Sequence, residues 1–209
     1  MQALCAERDA FVRENLTWAL VRMGEAATPP LVDLLRDSRP LVRHHAAHVL
    51  SKLADRRAVG ALVDALQDAD VFVVTKAAFA LGQIGDPAAI PALVTLLDHE
   101  SRVLQSTLVA VLERFGVAAV PALIAALDHD HWRVREQAAY VLGAVASEDA
   151  LPALMKILAD REWQVRFAGL HALRGFGAEC EARGARLMVD DPDRRVRSLA
   201  ARLKPSRST

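Results

Sequence analysis

Apolar residues recur along the chain at intervals of 30 or 31 residues. Each repeat contains an apolar residue, called here the anchor, that in most repeats opens a Val-Arg pair. The anchors are Val12, Val42, Val73, Leu104, Val134, Val165 and Val196. Because this period covers nearly the whole chain, it predicts a repeat architecture.

The residues after each anchor predict an amphipathic α-helix. Residues four, eight and eleven positions after the anchor are also mostly apolar, as in Ala138, Leu142 and Val145 after Val134. These positions share one face of a helix, so we expect them in the core with the anchor. A small residue follows at the twelfth position, which is typical of a helix end. The six small residues are Gly24, Ala54, Gly85, Gly116, Ala146 and Gly177.

A second helix is predicted between this end and the next anchor. Four repeats carry a proline there, followed by a Leu-rich run: Pro30, Pro91, Pro121 and Pro152. Proline is tolerated in the first turn of a helix, since its missing N–H would have no partner there. Aspartates then lie in or beside the turn to the next anchor, where a carboxylate can cap free N–H groups. They are Asp37, Asp68, Asp98, Asp128, Asp160 and Asp191.

Neither helix of such a hairpin can bury its apolar face alone, so the hairpins must stack. We therefore predict an all-α fold, a right-handed α-solenoid of about six to seven helical hairpins with a 30–31 residue repeat. One domain would span residues 1–204, and residues 205–209 would form a disordered tail. Met1 shortens the first hairpin, which we therefore expect to contact a partner or a second copy, giving a homo-oligomer.

Two segments carry a family resemblance. DADVFVVTKAAFALGQIGDPAAIPALVTLLD (68–98) and DHDHWRVREQAAYVLGAVASEDALPALMKILAD (128–160) resemble HEAT repeats, in particular the short HEAT-like type named after phycobilisome chromophore lyases. The resemblance implies that the anchor helices line a concave surface. It implies no single function, because similar repeats serve scaffolds, chaperones, lyase subunits, hydroxylases and DNA glycosylases.

Composition narrows the range of partners. Lys plus Arg and Asp plus Glu both number 26, which disfavours a dedicated nucleic-acid binder. From Arg161 onward, however, 11 basic residues face 6 acidic ones. Cys5 and Cys180 lie far apart and predict no disulfide or zinc framework. We find no signal peptide and no apolar run of about 18 residues, so we expect a soluble cytoplasmic protein.

Positions two and six after the anchor point away from the core. Aromatic residues there suit partner binding, because each buries a large area at low entropic cost. The alternative is that these side chains pack between neighbouring hairpins. The predicted partner-binding residues are Glu14, Trp18, His44, His48, Phe79, Glu136, Tyr140, Phe167 and His171.

Arginine directly follows the anchor in five repeats, at Arg13, Arg43, Arg135, Arg166 and Arg197. These side chains lie at the core edge, where a guanidinium can reach an inter-hairpin aspartate or the carbonyls of the next turn. We predict a structural role, since Val74 and Gln105 interrupt any phosphate-tracking series. Trp132 and Trp163 are expected to pack between repeats.

The segment VRHHAAHVL (42–50) raises the question of a metal site. His44 and His48 have the i, i+4 spacing that lets two imidazoles reach one ion, and Glu14 of the preceding hairpin could be a third ligand. The equivalent segment VREQAAYVL (134–142) has other residues in those places, so the histidines fill variable positions. We expect no metal site. The paired His-Glu ligands of the similar deoxyhypusine hydroxylases are absent at the corresponding positions.

These observations favour a non-catalytic scaffold that binds a partner protein or peptide on the concave face, without a cofactor or a membrane. Two alternatives stay open. One is a chromophore-lyase-like or chaperone subunit that cradles a bilin, a heme or its acceptor protein. The other is a nucleic-acid binder that uses the basic C-terminal end.

Overall fold

Long and short helices alternate along the chain in the computed structural model, which describes residues 10–203 and their side chains from residue 14 onward. No strand occurs within residues 10–203. The predicted tail and the predicted N-terminal contact involve residues outside this range.

The anchors lie in the long helices, which are α1 Ala10–Arg22, α3 Pro40–Leu53, α5 Val71–Ile84, α7 Arg102–Phe115, α9 Trp132–Val145, α11 Trp163–Ala172 and α13 Arg194–Leu203. The intervening helices are α2 Thr28–Leu34, α4 Val59–Asp64, α6 Ile90–Val94, α8 Val120–Ala126, α10 Leu151–Lys156 and α12 Ala178–Leu187. Short 3₁₀ turns flank most of them. This alternation confirms the predicted all-α, solenoid-type repeat.

The described residues form two compact units. Unit 1 comprises residues 10–93 and 99–114, and unit 2 comprises residues 94–98 and 115–203. In unit 1, α3 packs against α1 and α5; in unit 2, α11 packs against α9 and α13. Each of these anchor helices is therefore covered by the anchor helices of adjacent repeats. A single domain over residues 1–204 stays a prediction.

The core follows the anchor pattern with one exception. Every described anchor is buried, and so is the residue eight positions later. The eleventh position was expected to be equally buried, but its residues are only half-buried, and Met23 is 58% exposed. This position is the last residue of its long helix or lies just beyond it, where the chain turns toward the next helix.

Two alanines end their helices in a conformation that favours glycine. Ala54 and Ala146 have φ of 51° and 53°, and Gly85 at the same position of another repeat has φ of 69°. In this left-handed region a Cβ crowds the following carbonyl oxygen. The helix ends predicted at Ala54, Gly85 and Ala146 are therefore confirmed, and the two alanines hold strained versions of them, whereas α11 already ends at Ala172, before Gly177.

Arginine and aspartate connect consecutive repeats within each unit. Arg135, which is 6% exposed, donates from Nε and Nη2 to the two carboxylate oxygens of Asp160 at 2.8 and 2.9 Å. Its Nη1 donates to the carbonyls of His129 and Asp130. The same Asp160 accepts a hydrogen bond from the N–H of Glu162 at 2.9 Å and so also shapes the turn before the next anchor.

The same arrangement joins Arg43 to Asp68 in unit 1 and Arg166 to Asp191 in unit 2. The hydrogen bonds from Arg43 hold the pKa of the Asp68 carboxyl below its usual range. The structural role predicted for Arg43, Arg135 and Arg166 is therefore confirmed, Arg197 donates to carbonyls only, and the side chain of Arg13 lies outside the described residues. The carbonyls that they reach, however, belong to the turn before their own helix, not to the one after it.

Two glycines bring the chain segments of unit 2 into close contact. A Cβ on Gly175 would lie 2.1 Å from the carbonyl oxygen of Gly143, and a Cβ on Gly143 would lie 2.5 Å from Cα of Ala172. Real Cβ atoms do not approach backbone atoms so closely, because the packed interior cannot open without cost. Residues without a side chain are thus required where α9 meets the end of α11.

The continuous helical stretch Arg102–Ala126 is long and apolar enough to cross a membrane by length and composition alone, with a mean hydropathy of 1.9 in its most apolar window. Gly116 takes a left-handed φ of 56°, which ends α7. Leu104, Leu108 and Leu123 are completely buried in the protein.

Substituting the strained alanines by glycine should stabilise the protein. We expect Ala146→Gly to raise the free energy of unfolding by about 0.5–1 kcal/mol, because glycine adopts the left-handed region without steric cost. Gly85→Ala should lower it by about 1 kcal/mol, since its added Cβ meets open space and only the backbone term changes. Urea unfolding measures both; a loss of stability in Ala146→Gly would contradict the strain.

Removing the buried guanidinium should be strongly destabilising. We expect Arg135→Met to lower the free energy of unfolding by about 3–5 kcal/mol, because it leaves a poorly solvated carboxylate and two carbonyls without their donor. The control is Lys156→Met, which breaks an exposed ion pair with Asp128 at 2.7 Å and should cost less than about 1 kcal/mol. Equal effects of the two substitutions would refute the proposed importance of burial.

Candidate partner-binding groove

Three successive anchor helices of unit 2 form a groove of about 570 Å³. Glu136 and Tyr140 line it from α9, Trp163 and Phe167 from α11, and Arg194, Arg195, Ser198 and Arg202 from α13. The two lining residues of α9 and those of α11 are four positions apart, so each pair lies on one helical face. On α13 the same spacing of four relates Arg194, Ser198 and Arg202, and Arg195 lies next to Arg194. The groove is thus built from the outward positions that the repeat leaves out of the core.

The floor of the groove is aromatic. Trp163 and Phe167 pack edge to face with ring centroids 6.4 Å apart. The guanidinium carbon of Arg195 lies 3.4 Å from the centroid of the Trp163 ring, a cation–π contact between consecutive repeats. Trp163 therefore packs between repeats, as predicted, and also lines the groove.

Glu136 and Tyr140 form the wall that α9 supplies. Burial raises the pKa of both groups, and the nearby Glu136 carboxylate raises that of Tyr140 further. The ring of Tyr140 also packs edge to face against His171, with centroids 5.5 Å apart. His171 lies beside the groove, where burial lowers its pKa and the guanidinium of Arg174 approaches its Nε2 at 3.4 Å. Four of the predicted partner-binding residues therefore meet in unit 2.

The wall supplied by α13 is cationic. Arg195 is already bonded to Asp193 through both Nε and Nη2. Arg194 and Arg202 are exposed, and within the described part of the chain neither forms an ion pair with a carboxylate. Ser198 lies between these two arginines on the same helical face. Two uncompensated positive charges thus border an aromatic floor.

Unit 1 holds a second group of predicted residues. Trp18 is 47% exposed and accepts a cation–π contact from Lys52 at 5.5 Å. His48 and Glu14 approach each other at 3.8 Å. His44 is half-buried, its Nδ1 has no hydrogen-bond partner, and burial together with the charge of Lys76 lowers its pKa to about 4.

Phe79 is the fifth predicted residue in unit 1. It is 38% exposed and lines a separate groove of about 580 Å³ in unit 1 with Gln83, Ser106, Thr107, Ala110 and others. Lys76 lies 5.3 Å from its ring centroid. Four of the nine predicted residues therefore lie in unit 2 and five in unit 1, and partner binding by any of them stays a prediction.

The possible metal ligands are not assembled. Between residues 14 and 203 no three His, Cys, Asp or Glu side chains are close enough together to hold a metal ion. Glu14 Oε2 and His48 Nε2 lie 3.8 Å apart, but no third His, Cys, Asp or Glu among the described residues completes a ligand set with them. The trio of His44, His48 and Glu14 is therefore not a site in this conformation.

Sequence reasoning missed one regular surface. Leu41, Phe72 and Val103 are strongly exposed, and each stands directly before its anchor in unit 1. In unit 2 the same position carries Arg133, Gln164 and Arg195. Reading this column of the repeat would have found the difference. Unit 1 thus carries a row of exposed apolar side chains that unit 2 lacks.

Comparison with known proteins identifies the repeats. A family model described as HEAT repeats matches residues 28–113, 95–174 and 120–203. A second model, described as a PBS lyase HEAT-like repeat, matches residues 12–37. No curated protein matches the chain significantly.

Solved structures of similar fold cover most of the chain. A HEAT-like repeats protein from the archaeon Thermococcus onnurineus NA1 has 14% identity and a TM-score of 0.59, over 97% of this chain and 93% of that one. The CpcE–CpcF complex of phycocyanin lyase from Nostoc sp. PCC7120 has 23% identity and a TM-score of 0.49, over 96% and 92%. A designed armadillo repeat protein in complex with the peptide (KR)4 has 22% identity and a TM-score of 0.46, over 83% and 97%. The archaeal structure supports the solenoid fold.

His44 should make stability depend on pH. Its folded-state pKa of about 4 lies below the ordinary 6.5, so the unfolded chain binds the proton more readily. The stability from neutral His44 is therefore complete above about pH 6.5 and is lost as the pH falls toward 4. We expect His44→Gln to reduce the loss of unfolding free energy between pH 7.5 and 5 by about 1–2 kcal/mol.

The matched control is His131→Gln, because His131 is exposed. Urea unfolding at pH 7.5 and at pH 5 measures, for each variant, the change in unfolding free energy between the two pH values. Because only His44 is replaced, its contribution is separated from those of His48 and His171. A pH dependence in His44→Gln as steep as in the unchanged protein would contradict this assignment.

Proposed function

The chain belongs to the HEAT-repeat family, and from that premise we propose that it is a protein-interaction module that holds a peptide segment of a partner in the groove of unit 2. The observation that carries the proposal is the combination of a half-buried aromatic floor with charged walls on adjacent anchor helices. Protein interfaces are anchored by aromatic and arginine side chains in such settings.

The dimensions of the groove support a peptide as its occupant. A volume of about 570 Å³ matches a few side chains or a small molecule. The aromatic residues of the groove are already held by neighbouring groups: Trp163 in the floor by Arg195 and Phe167, and Tyr140 in the wall by His171. A site with restrained side chains loses little conformational entropy on binding, which favours affinity.

Selection from a random 12-residue peptide library tests this function. We expect selected peptides to lose at least about tenfold in affinity when Tyr140 and Phe167 are both replaced by Ala, since truncated aromatic anchors typically cost 1–2 kcal/mol or more. The control replaces Leu41 and Phe72 by Ala; this removes exposed apolar surface from unit 1 and should leave affinity within about twofold.

A second variant tests whether a loss of binding comes from the groove and not from unfolding of the protein. Ser198→Trp adds bulk to the groove from an exposed position and removes no packing, so it should block the peptides while the helical circular dichroism and the melting temperature are retained. Selected peptides that bind all groove variants as tightly as the unchanged protein would refute the proposed site.

A further inference from the structure

The walls of the groove differ in charge, and we infer from this that the partner segment is acidic, with its carboxylates against α13 and its apolar side chains on the aromatic floor. This inference rests on the proposed function and specifies the chemistry of the partner. Its basis is the pair of uncompensated guanidiniums, Arg194 and Arg202, on one wall only.

The three arginines of this wall differ in how far neighbouring groups neutralise their positive charges. Arg195 is stacked on Trp163 and bonded to Asp193, so its charge is largely satisfied within the protein. Arg202 donates from Nε only to the carbonyl of Ser198 in its own helix, at 3.3 Å. Arg194 is also exposed. Two guanidiniums therefore keep free donors for an external carboxylate, the group that their planar geometry fits best.

The spacing of these guanidiniums defines a ligand pattern. Arg194, Ser198 and Arg202 follow one another at i, i+4 and i+8, so Arg194 and Arg202 are about 12 Å apart along the helix axis at 1.5 Å per residue. An extended peptide advances about 3.3 Å per residue. Carboxylates four residues apart in an extended segment therefore match the two arginines, and the Ser198 hydroxyl lies between them.

The opposite wall, supplied by α9, determines the orientation of the bound peptide. Glu136 is half-buried on α9, and its carboxylate repels acidic side chains placed on that side. A uniformly negative ligand would bring charge against both walls, whereas a peptide with an acidic edge and an apolar edge satisfies each of them. For this reason a peptide fits the groove better than a nucleic acid strand does.

Three labelled heptapeptides test the inference. The acidic probe is Gly-Asp-Phe-Ser-Leu-Asp-Gly, the neutral probe has Asn in place of both Asp residues, and the basic probe has Lys there. Fluorescence anisotropy at about 50 mM salt should show the acidic probe binding at least about tenfold more tightly than the neutral one. The advantage should shrink at about 500 mM salt, because the exposed charges are then screened.

Charge reversal on α13 provides the specific variant. R194E together with R202E should abolish the preference for the acidic probe, and the milder pair R194Q with R202Q should reduce it. The matched control is R183E with R186E, which makes the same charge change at exposed positions of α12 outside the groove. Retention of the helical circular dichroism confirms that the variants fold.

Each outcome is decisive. Loss of the acidic preference in the α13 variants but not in the α12 variant supports the inference. Equal affinity of the acidic and neutral probes, or equal losses in both charge-reversal variants, overturns it. Tighter binding of a single-stranded oligonucleotide to the same arginines also overturns it, in favour of nucleic acid. Library peptides that bind at Tyr140 and Phe167 without acidic residues would overturn the acidic chemistry and leave the proposed function standing.

Discussion

The bond between an arginine after the anchor and the aspartate 25 residues later holds consecutive repeats in register. Its geometry is demanding, because one guanidinium satisfies a carboxylate with two donors and the carbonyls of its own preceding turn with a third. The carboxylate in turn fixes the N–H of the next turn. A shift of one hairpin against its neighbour would break all of these bonds at once, so a local interaction determines the relative placement of whole helices.

That register decides which side chains reach the groove. When α9, α11 and α13 are in phase, the second and sixth positions after their anchors lie side by side. Tyr140, Phe167 and Arg202 then share one surface although more than sixty residues separate the first from the last. The bonds from Arg135 and Arg166 therefore serve recognition indirectly, since they align the residues that form the groove without touching its contents.

Much of the fold could be predicted from the sequence, because the rules that determine it act over short distances. The positions of Val134 and Leu142 and the small residue at Ala146 fix a helix and its end by local geometry alone. The degree of exposure of the outward residues could not be predicted in this way. A helical wheel gives the direction of a side chain but not the reach of its neighbours, so it could not distinguish the surroundings of Phe79 from those of Tyr140. The structure places Phe79 beside Ala110 in unit 1 and Tyr140 against His171 in unit 2.

The absence of side chains at Gly143 and Gly175 has a consequence for how such a surface can change. Backbone contact between these two residues determines how close α9 comes to the end of α11 in unit 2, where the groove lies. The spacing of these elements is thus set by main-chain atoms, independently of the rings at Tyr140 and Phe167. Substitutions at those two outward positions can therefore alter what the protein recognises while the spacing of its helices stays constant. Binding specificity can thus change in evolution independently of the fold.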